Sequence, residues 1–302
     1  MTAMNLRGVF APIPTPFDRD ERLDLDRLRA GCARWAASPL AGLVVLGSTG
    51  EAVLLDEAES DRVVSFARER WPSGRAFIVG AGRESTVATM RAVLRAADLG
   101  ADAVLVRTPG FYKSQMTMSN DAFVRHYTAV ADASPVPVLL YNFTAVTGVN
   151  LSPAAVSTLA THPNIIGVKE SSGDIAQMTD LVAGTPDDFS VLAGSSTTFY
   201  SSLCVGAVGG VLALACVLPD ACVRLFELTR DGRHTEAAAL QHRLVPIAKL
   251  VGNMHGVPGL KAALQLAGCD AGIPRSPLTP VSAATVAALR GVLMSFEEVA
   301  LV

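Results

Sequence analysis

The stretch "NIIGVKESSGD", Asn164 to Asp174, sets a lysine at the end of an apolar run. Ile165 to Val168 show no polar alternation, so they read as a strand covered on both faces, as in a parallel sheet. Lys169 then stands where desolvation penalises the ammonium form. Seven other runs have the same character: "GVFAPIPTPF" (8–17), "GLVVLG" (42–47), "AFIVGAG" (76–82), "DAVLVRTP" (102–109), "VPVLLYN" (136–142), "FSVLAG" (189–194) and "GGVLALA" (209–215). A helix-like segment follows each one. The second such helix opens with Asp56 and carries Glu59 three residues on, a capping box. The third stops at Gly100.

Strands alternating with helices pair in parallel through crossovers. An open doubly wound sheet and a closed barrel both satisfy that pattern. Eight even units over about 215 residues suit the barrel, usually about 250 residues in all. The expectation is a (β/α)8 TIM barrel over residues 1–218, with a C-terminal helical extension over 219–302. The extension holds "DACVRLFELTRDG", "EAAALQHRLVPIAKLVG", "PGLKAALQLAG" and an amphipathic piece from Ser282.

The 302 residues are 50% hydrophobic with a net charge of −3, a balance that favours neither nucleic acid nor an anionic membrane surface. "MTAMNLRGVF" lacks the long apolar core of a signal peptide. "AVGGVLALACVLP" is too short to span a bilayer. Five scattered cysteines without a CxxC pair argue against a disulfide frame or zinc ribbon, and the expected location is the cytoplasm. The histidines form no HxH or HxxxH pair, so no catalytic metal is expected.

Chemistry in such barrels gathers at the carboxyl ends of the strands. There the sequence places Ser48 and Thr49 in "GSTGE", Tyr141 in "YNFTAVTG" and Lys169 in "KESSGD". An exposed lysine is a poor nucleophile at neutral pH. Burial favours the free amine, which can attack a carbonyl and form a Schiff base. The plain alternative is a structural ion pair, for which Glu170 is a poor partner because neighbouring strand residues face opposite ways. Tyr141 reads either as a proton shuttle or as an interfacial aromatic with a satisfied hydroxyl. "GSTGE" can cradle a carboxylate or phosphate on its backbone N–H groups, or be an ordinary glycine-rich turn. "GAGRES" lacks the third glycine of a dinucleotide fingerprint, having Ser85 there.

"GSTGE", "YNFTAVTG", "GVKESSGD", "VLAGSS" and "GAVGGVLALA" stand in an order and spacing that resembles the pyruvate-dependent class I aldolases related to dihydrodipicolinate synthase and N-acetylneuraminate lyase. The likeness covers almost the whole chain. Within the family it looks nearest to the 4-hydroxy-2-oxoglutarate aldolases, through "SPVPVLLYN", "THPNIIGVKESSGD", "LQHRL" and "GVPGLKAAL". The resemblance implies Lys169 as the Schiff-base lysine and Tyr141 as proton donor and acceptor. It implies that Ser48 and Thr49 hold the pyruvate carboxylate and relay protons. It sets the Leu212 backbone against pyruvate, Gly194 and Ser195 at the far end of the pocket, and Ser171 near the lysine. Its substrates would be pyruvate and an aldehyde such as glyoxylate, with no external cofactor, and the assembly a homotetramer.

Two positions depart from the family pattern. The tyrosine that usually reaches a neighbouring subunit is Phe111 here, with Tyr112 next to it as a possible relay. Val146 stands where the lysine-pathway synthase has an arginine for its second substrate's carboxylate, and a valine cannot make that bidentate contact. The alternatives to the aldolase are that synthase, another aldolase or dehydratase of the family, or a non-catalytic 2-oxo acid binding protein.

Overall fold

A computed structural model describes residues 4–116 and 119–296. Its eight strands are parallel and close in chain order, with β1 hydrogen-bonded to β8. They are β1 (Gly8–Pro12), β2 (Gly42–Val45), β3 (Ala76–Gly80), β4 (Ala103–Arg107), β5 (Val138–Asn142), β6 (Ile165–Glu170), β7 (Ser190–Ala193) and β8 (Gly209–Val211). The crossover helices are α1 (Leu25–Ala36), α2 (Glu57–Arg68), α3 (Thr86–Asp98), α4 (Asn120–Ala133), α5 (Pro153–Leu159), α6 (Ile175–Ala183), α7 (Phe199–Cys204) and α8 (Pro219–Arg230). The fold is the expected (β/α)8 TIM barrel. Beyond α8 lie α9 (His234–Ala248), which runs into a π-helical turn at Lys249–Met254, then α10 (Gly256–Leu266) and α11 (Ala283–Leu293).

The strands read as unbroken apolar runs because alternate residues enter two separate cores. Phe10, Val44, Ile78, Leu105, Leu139, Leu192 and Val211 fill the barrel interior. Their neighbours Val9, Leu43, Val45, Phe77, Val79, Val104, Val106 and Leu140 pack outward under the helices. The Asp56–Glu59 capping box is present, with Glu59 N–H donating to Asp56 at 2.8 Å and Asp56 N–H to Glu59 at 3.2 Å. Gly100 follows α3 with φ +88°. The apolar run after β8 departs from the expected strand: Ala213–Cys216 coils into a 3-10 turn. Short helical turns also occupy the loops at Lys113–Met116 and Thr144–Thr147.

The β5–β6 pairing controls the site. Val138 is level with Ile165, but Leu139 is level with Gly167, so the register shifts at Ile166. Ile166 packs with the interior cluster and Val168 with the outer one. Regular alternation from Ile166 would carry Lys169 outward. The shift reverses the parity and brings Lys169 level with inward-facing Tyr141. Gly167 permits this fit, since a Cβ there would lie 2.3 Å from the Ser190 carbonyl oxygen.

Candidate active site

Lys169 and Tyr141 stand one residue short of their strand ends and are 5% and 4% exposed. The lysine Nζ lies 4.2 Å from the centroid of the tyrosine ring, a cation–π distance. The Tyr141 hydroxyl is 3.5 Å from Ser48 Oγ on the β2 loop. Three of the expected residues therefore meet at one barrel mouth, and Thr49 is on the same loop as Ser48.

Glu170 points the other way, as strand parity requires. It is 1% exposed, and its carboxylate accepts from Asn142 Nδ2 at 2.7 Å, Gln177 Nε2 at 2.9 Å and the Ser172 N–H at 2.6 Å. A buried carboxylate with three donors is satisfied without the lysine. Asn142 also accepts from the Leu151 N–H at 2.9 Å, so the network ties the β5 loop to β6.

Two strained residues bracket the β2 loop. Leu46 and Glu51 both take positive φ, 56° and 55°, which non-glycine residues hold only when their surroundings enforce it. Gly80 makes room for the first, because a Cβ there would sit 2.0 Å from the Leu46 carbonyl oxygen. Between them, Gly50 N–H donates to Gly47 and Glu51 N–H to Ser48. Among the described residues, the N–H groups of Ser48 and Thr49 have no acceptor. Unspent backbone amides beside hydroxyls are the kind of donors that bind anions.

The β6–β7 side supplies Ser171, Gly194 and Ser195. Ser171 Oγ is buried without a partner among the described residues and lies over Gly194, where a Cβ would come within 1.8 Å of it. Ser195 Oγ is 2.9 Å from Thr197 Oγ1. Leu212 is buried after β8, with its N–H donating to the Phe10 carbonyl at 3.0 Å.

Phe111 and Tyr112 are not brought into this group. Their rings meet edge to face 5.0 Å apart and are 77% and 59% exposed. Their loop is held by Glu84 of "GAGRES", which accepts from the N–H groups of Gly110 and Phe111 at 3.0 and 2.9 Å and pairs with Arg107 at 2.7 Å. Burial works against the Glu84 carboxylate, but the Phe111 amide and the Arg107 guanidinium outweigh it and hold its pKa below the usual range.

The sequence marks Phe143 only as an apolar residue of the loop after β5; in the structure its ring stacks on Tyr141 with centroids 5.6 Å apart and planes 20° from parallel. Strand alternation was the available signal, since Phe143 is two residues past Tyr141. Sequence reasoning missed Glu51 and Lys261. Their ammonium–carboxylate distance of 2.6 Å joins positions far apart in the chain. Among the described residues, no three His, Cys, Asp or Glu side chains converge as metal ligands would, and no helix is long and apolar enough to cross a membrane.

A buried amine and a phenol at the mouth of a (β/α)8 barrel define a barrel enzyme as the class. The comparisons sharpen this. The family model described as "Dihydrodipicolinate synthetase family" matches residues 5–295, and the chain belongs to that family. It is 37% identical over 294 residues to a 4-hydroxy-tetrahydrodipicolinate synthase of Exiguobacterium sp. (strain ATCC BAA-1283 / AT1b), covering 97% of this chain and 98% of the relative. It is 38% identical over 288 residues to the protein named "Probable 4-hydroxy-2-oxoglutarate aldolase, mitochondrial" of Emericella nidulans, covering 94% and 92%. Among solved structures, YagE of E. coli K12 in complex with pyruvate superposes with a TM-score of 0.89 at 28% identity, covering 96% of this chain and 98% of that one. The chain is an enzyme of the carbon–carbon lyase type.

Proposed function

We propose that the chain is a Schiff-base-forming pyruvate aldolase that cleaves 4-hydroxy-2-oxoglutarate, or a similar 2-oxo acid, to pyruvate and glyoxylate. The observation that carries the reading is the buried Lys169 amine over the Tyr141 ring, with the phenol 3.5 Å from Ser48. Lys169 Nζ adds to the C2 carbonyl, and the carbinolamine hydroxyl takes a proton from solvent and leaves as water, giving an iminium. Tyr141 takes the proton of the C4 hydroxyl as it passes its own to Ser48 Oγ, 3.5 Å away, and on to solvent. The C3–C4 bond then breaks toward the iminium, releasing the aldehyde and leaving an enamine. Tyr141 returns its proton to C3, and water hydrolyses the imine to pyruvate and the free amine. The Ser48 and Thr49 amides and hydroxyls hold the pyruvate carboxylate, and the Leu212 backbone lies against the same fragment. Ser171, Gly194 and Ser195 face the departing aldehyde.

What supports glyoxylate as the aldehyde is the loop after β5. Phe143 to Gly148 contains no arginine, and Val146 is 63% exposed. A second carboxylate is left to the hydroxyls, which suit one that sits next to the reacting carbonyl. The second reading is 4-hydroxy-tetrahydrodipicolinate synthase, favoured by the 37% identity to the Exiguobacterium enzyme.

Two measurements test this. Treatment with pyruvate and borohydride, followed by mass spectrometry, is expected to give one reduced adduct on Lys169. An unchanged mass, or an adduct mapped to Lys249 or Lys261, overturns the mechanism. Comparison of kcat/KM for the aldol cleavage and for condensation of pyruvate with aspartate semialdehyde separates the two readings. A condensation rate far above the cleavage rate selects the synthase.

A further inference from the structure

The β2 loop does not hold its shape alone, because the C-terminal extension reaches across to it. Glu51, at the end of the loop, is 2% exposed. Its carboxylate meets Lys261 Nζ from α10 at 2.6 Å and accepts from the Arg275 N–H at 2.8 Å. Lys261 is also 2% exposed. Its ammonium donates to the carbonyls of Thr15 at 2.8 Å and Ile273 at 2.7 Å, besides its ion-pair contact with Glu51. Thr15 Oγ1 in turn donates to the Gly50 carbonyl at 2.6 Å. Lys261 thus grips both the loop's last side chain and, through Thr15, the carbonyl next to it.

A buried ion pair of this kind adds little stability over a well-packed apolar pair. Its effect is geometric. Glu51 is held at φ 55°, a conformation that a glutamate abandons once its side chain is released. Relaxation there turns the peptide planes of the short loop, and with them the N–H groups of Ser48 and Thr49.

We infer that Lys261 is a positioning residue, which through Glu51 and Thr15 fixes the Ser48–Thr49 amides in their carboxylate-receiving geometry. The inference rests on the proposed function only in taking that loop as the carboxylate cradle.

The test compares borohydride trapping of two ketones on the full-length chain: pyruvate, and acetone, which lacks the carboxylate. In Lys261→Met, trapping by subsaturating pyruvate is expected to slow tenfold or more, while trapping by acetone stays within twofold of the parent. Lys261→Arg, which keeps the charge, is expected to recover part of the pyruvate rate. Equal losses with both ketones would show a merely structural role and overturn the inference, as would no loss with either. If Lys261→Met does not fold, the Glu51→Gln/Lys261→Met pair leaves no buried unpaired charge and is read in the same way. A parent protein that traps neither ketone refutes the proposed mechanism, an outcome separate from any difference between parent and variant.

Discussion

Replacing Tyr141 by phenylalanine separates chemistry from architecture. The ring remains, so the 4.2 Å contact with Lys169 and the 5.6 Å stack on Phe143 survive. Only the hydroxyl is lost, with its 3.5 Å contact to Ser48 at the outer limit of a hydrogen bond. The stability cost is therefore at most about 1 kcal/mol, a melting shift of roughly 1–2 °C in a chain of this size. Turnover should fall far more, since loss of one acid–base group costs about 10²–10⁴ in rate, or about 3–5 kcal/mol of barrier. The pyruvate adduct on Lys169 should still form, because the variant keeps the amine and the carboxylate cradle. The assay follows pyruvate release through a coupled NADH-consuming dehydrogenase, alongside borohydride trapping and a thermal melt. A kcat within threefold of the parent would remove Tyr141 from the chemistry. An equal loss of adduct formation would mean that the phenol acts in binding or imine formation instead.

His126 is 5% exposed on α4, with Nδ1 2.9 Å from Thr86 Oγ1, and burial pushes its pKa down to about 4 against a small opposing effect of Glu84. A depressed folded value gives stability that is complete above about pH 6.5 and lost as the pH falls toward 4, up to about 3 kcal/mol in all. His126→Asn should therefore lose less stability than the parent between pH 7 and pH 4.5, as read from urea midpoints, and parallel losses would refute the assignment. The exposed Phe111–Tyr112 pair should lie near a subunit boundary of a homotetramer. Light scattering checks this, and a stable, fully active monomer contradicts it.

The barrel was readable because burial on both faces removes polar alternation, so that "GLVV" and "VLLYN" read as strands without reference to any partner. The same order placed Ser48, Tyr141 and Lys169 on one rim, since each lies near a strand end or in the loop beyond it. The Ala213–Cys216 turn escaped because an apolar 3-10 turn and a buried strand have the same composition. The Glu51–Lys261 pair escaped because one is in a β2 loop and the other in the extension, and only the closed fold makes them neighbours.

The lysine and glutamate at the end of β6 show how one local irregularity assigns two roles. Adjacent in sequence, they occupy opposite sides of the barrel wall. Among the described residues no cation pairs with Glu170, and it is held by amide donors from Asn142, Gln177 and Ser172. Lys169 is left facing a tyrosine ring, with the carboxylate of its own strand turned to the other side of the wall. Without the register shift at Ile166 the parity would reverse. A carboxylate would then enter the mouth beside the anion cradle, repelling the substrate that cradle suits, and the amine would be lost among the helices. The apolar strand thus ends in a lysine at a position where strand geometry keeps the nearest carboxylate away from it.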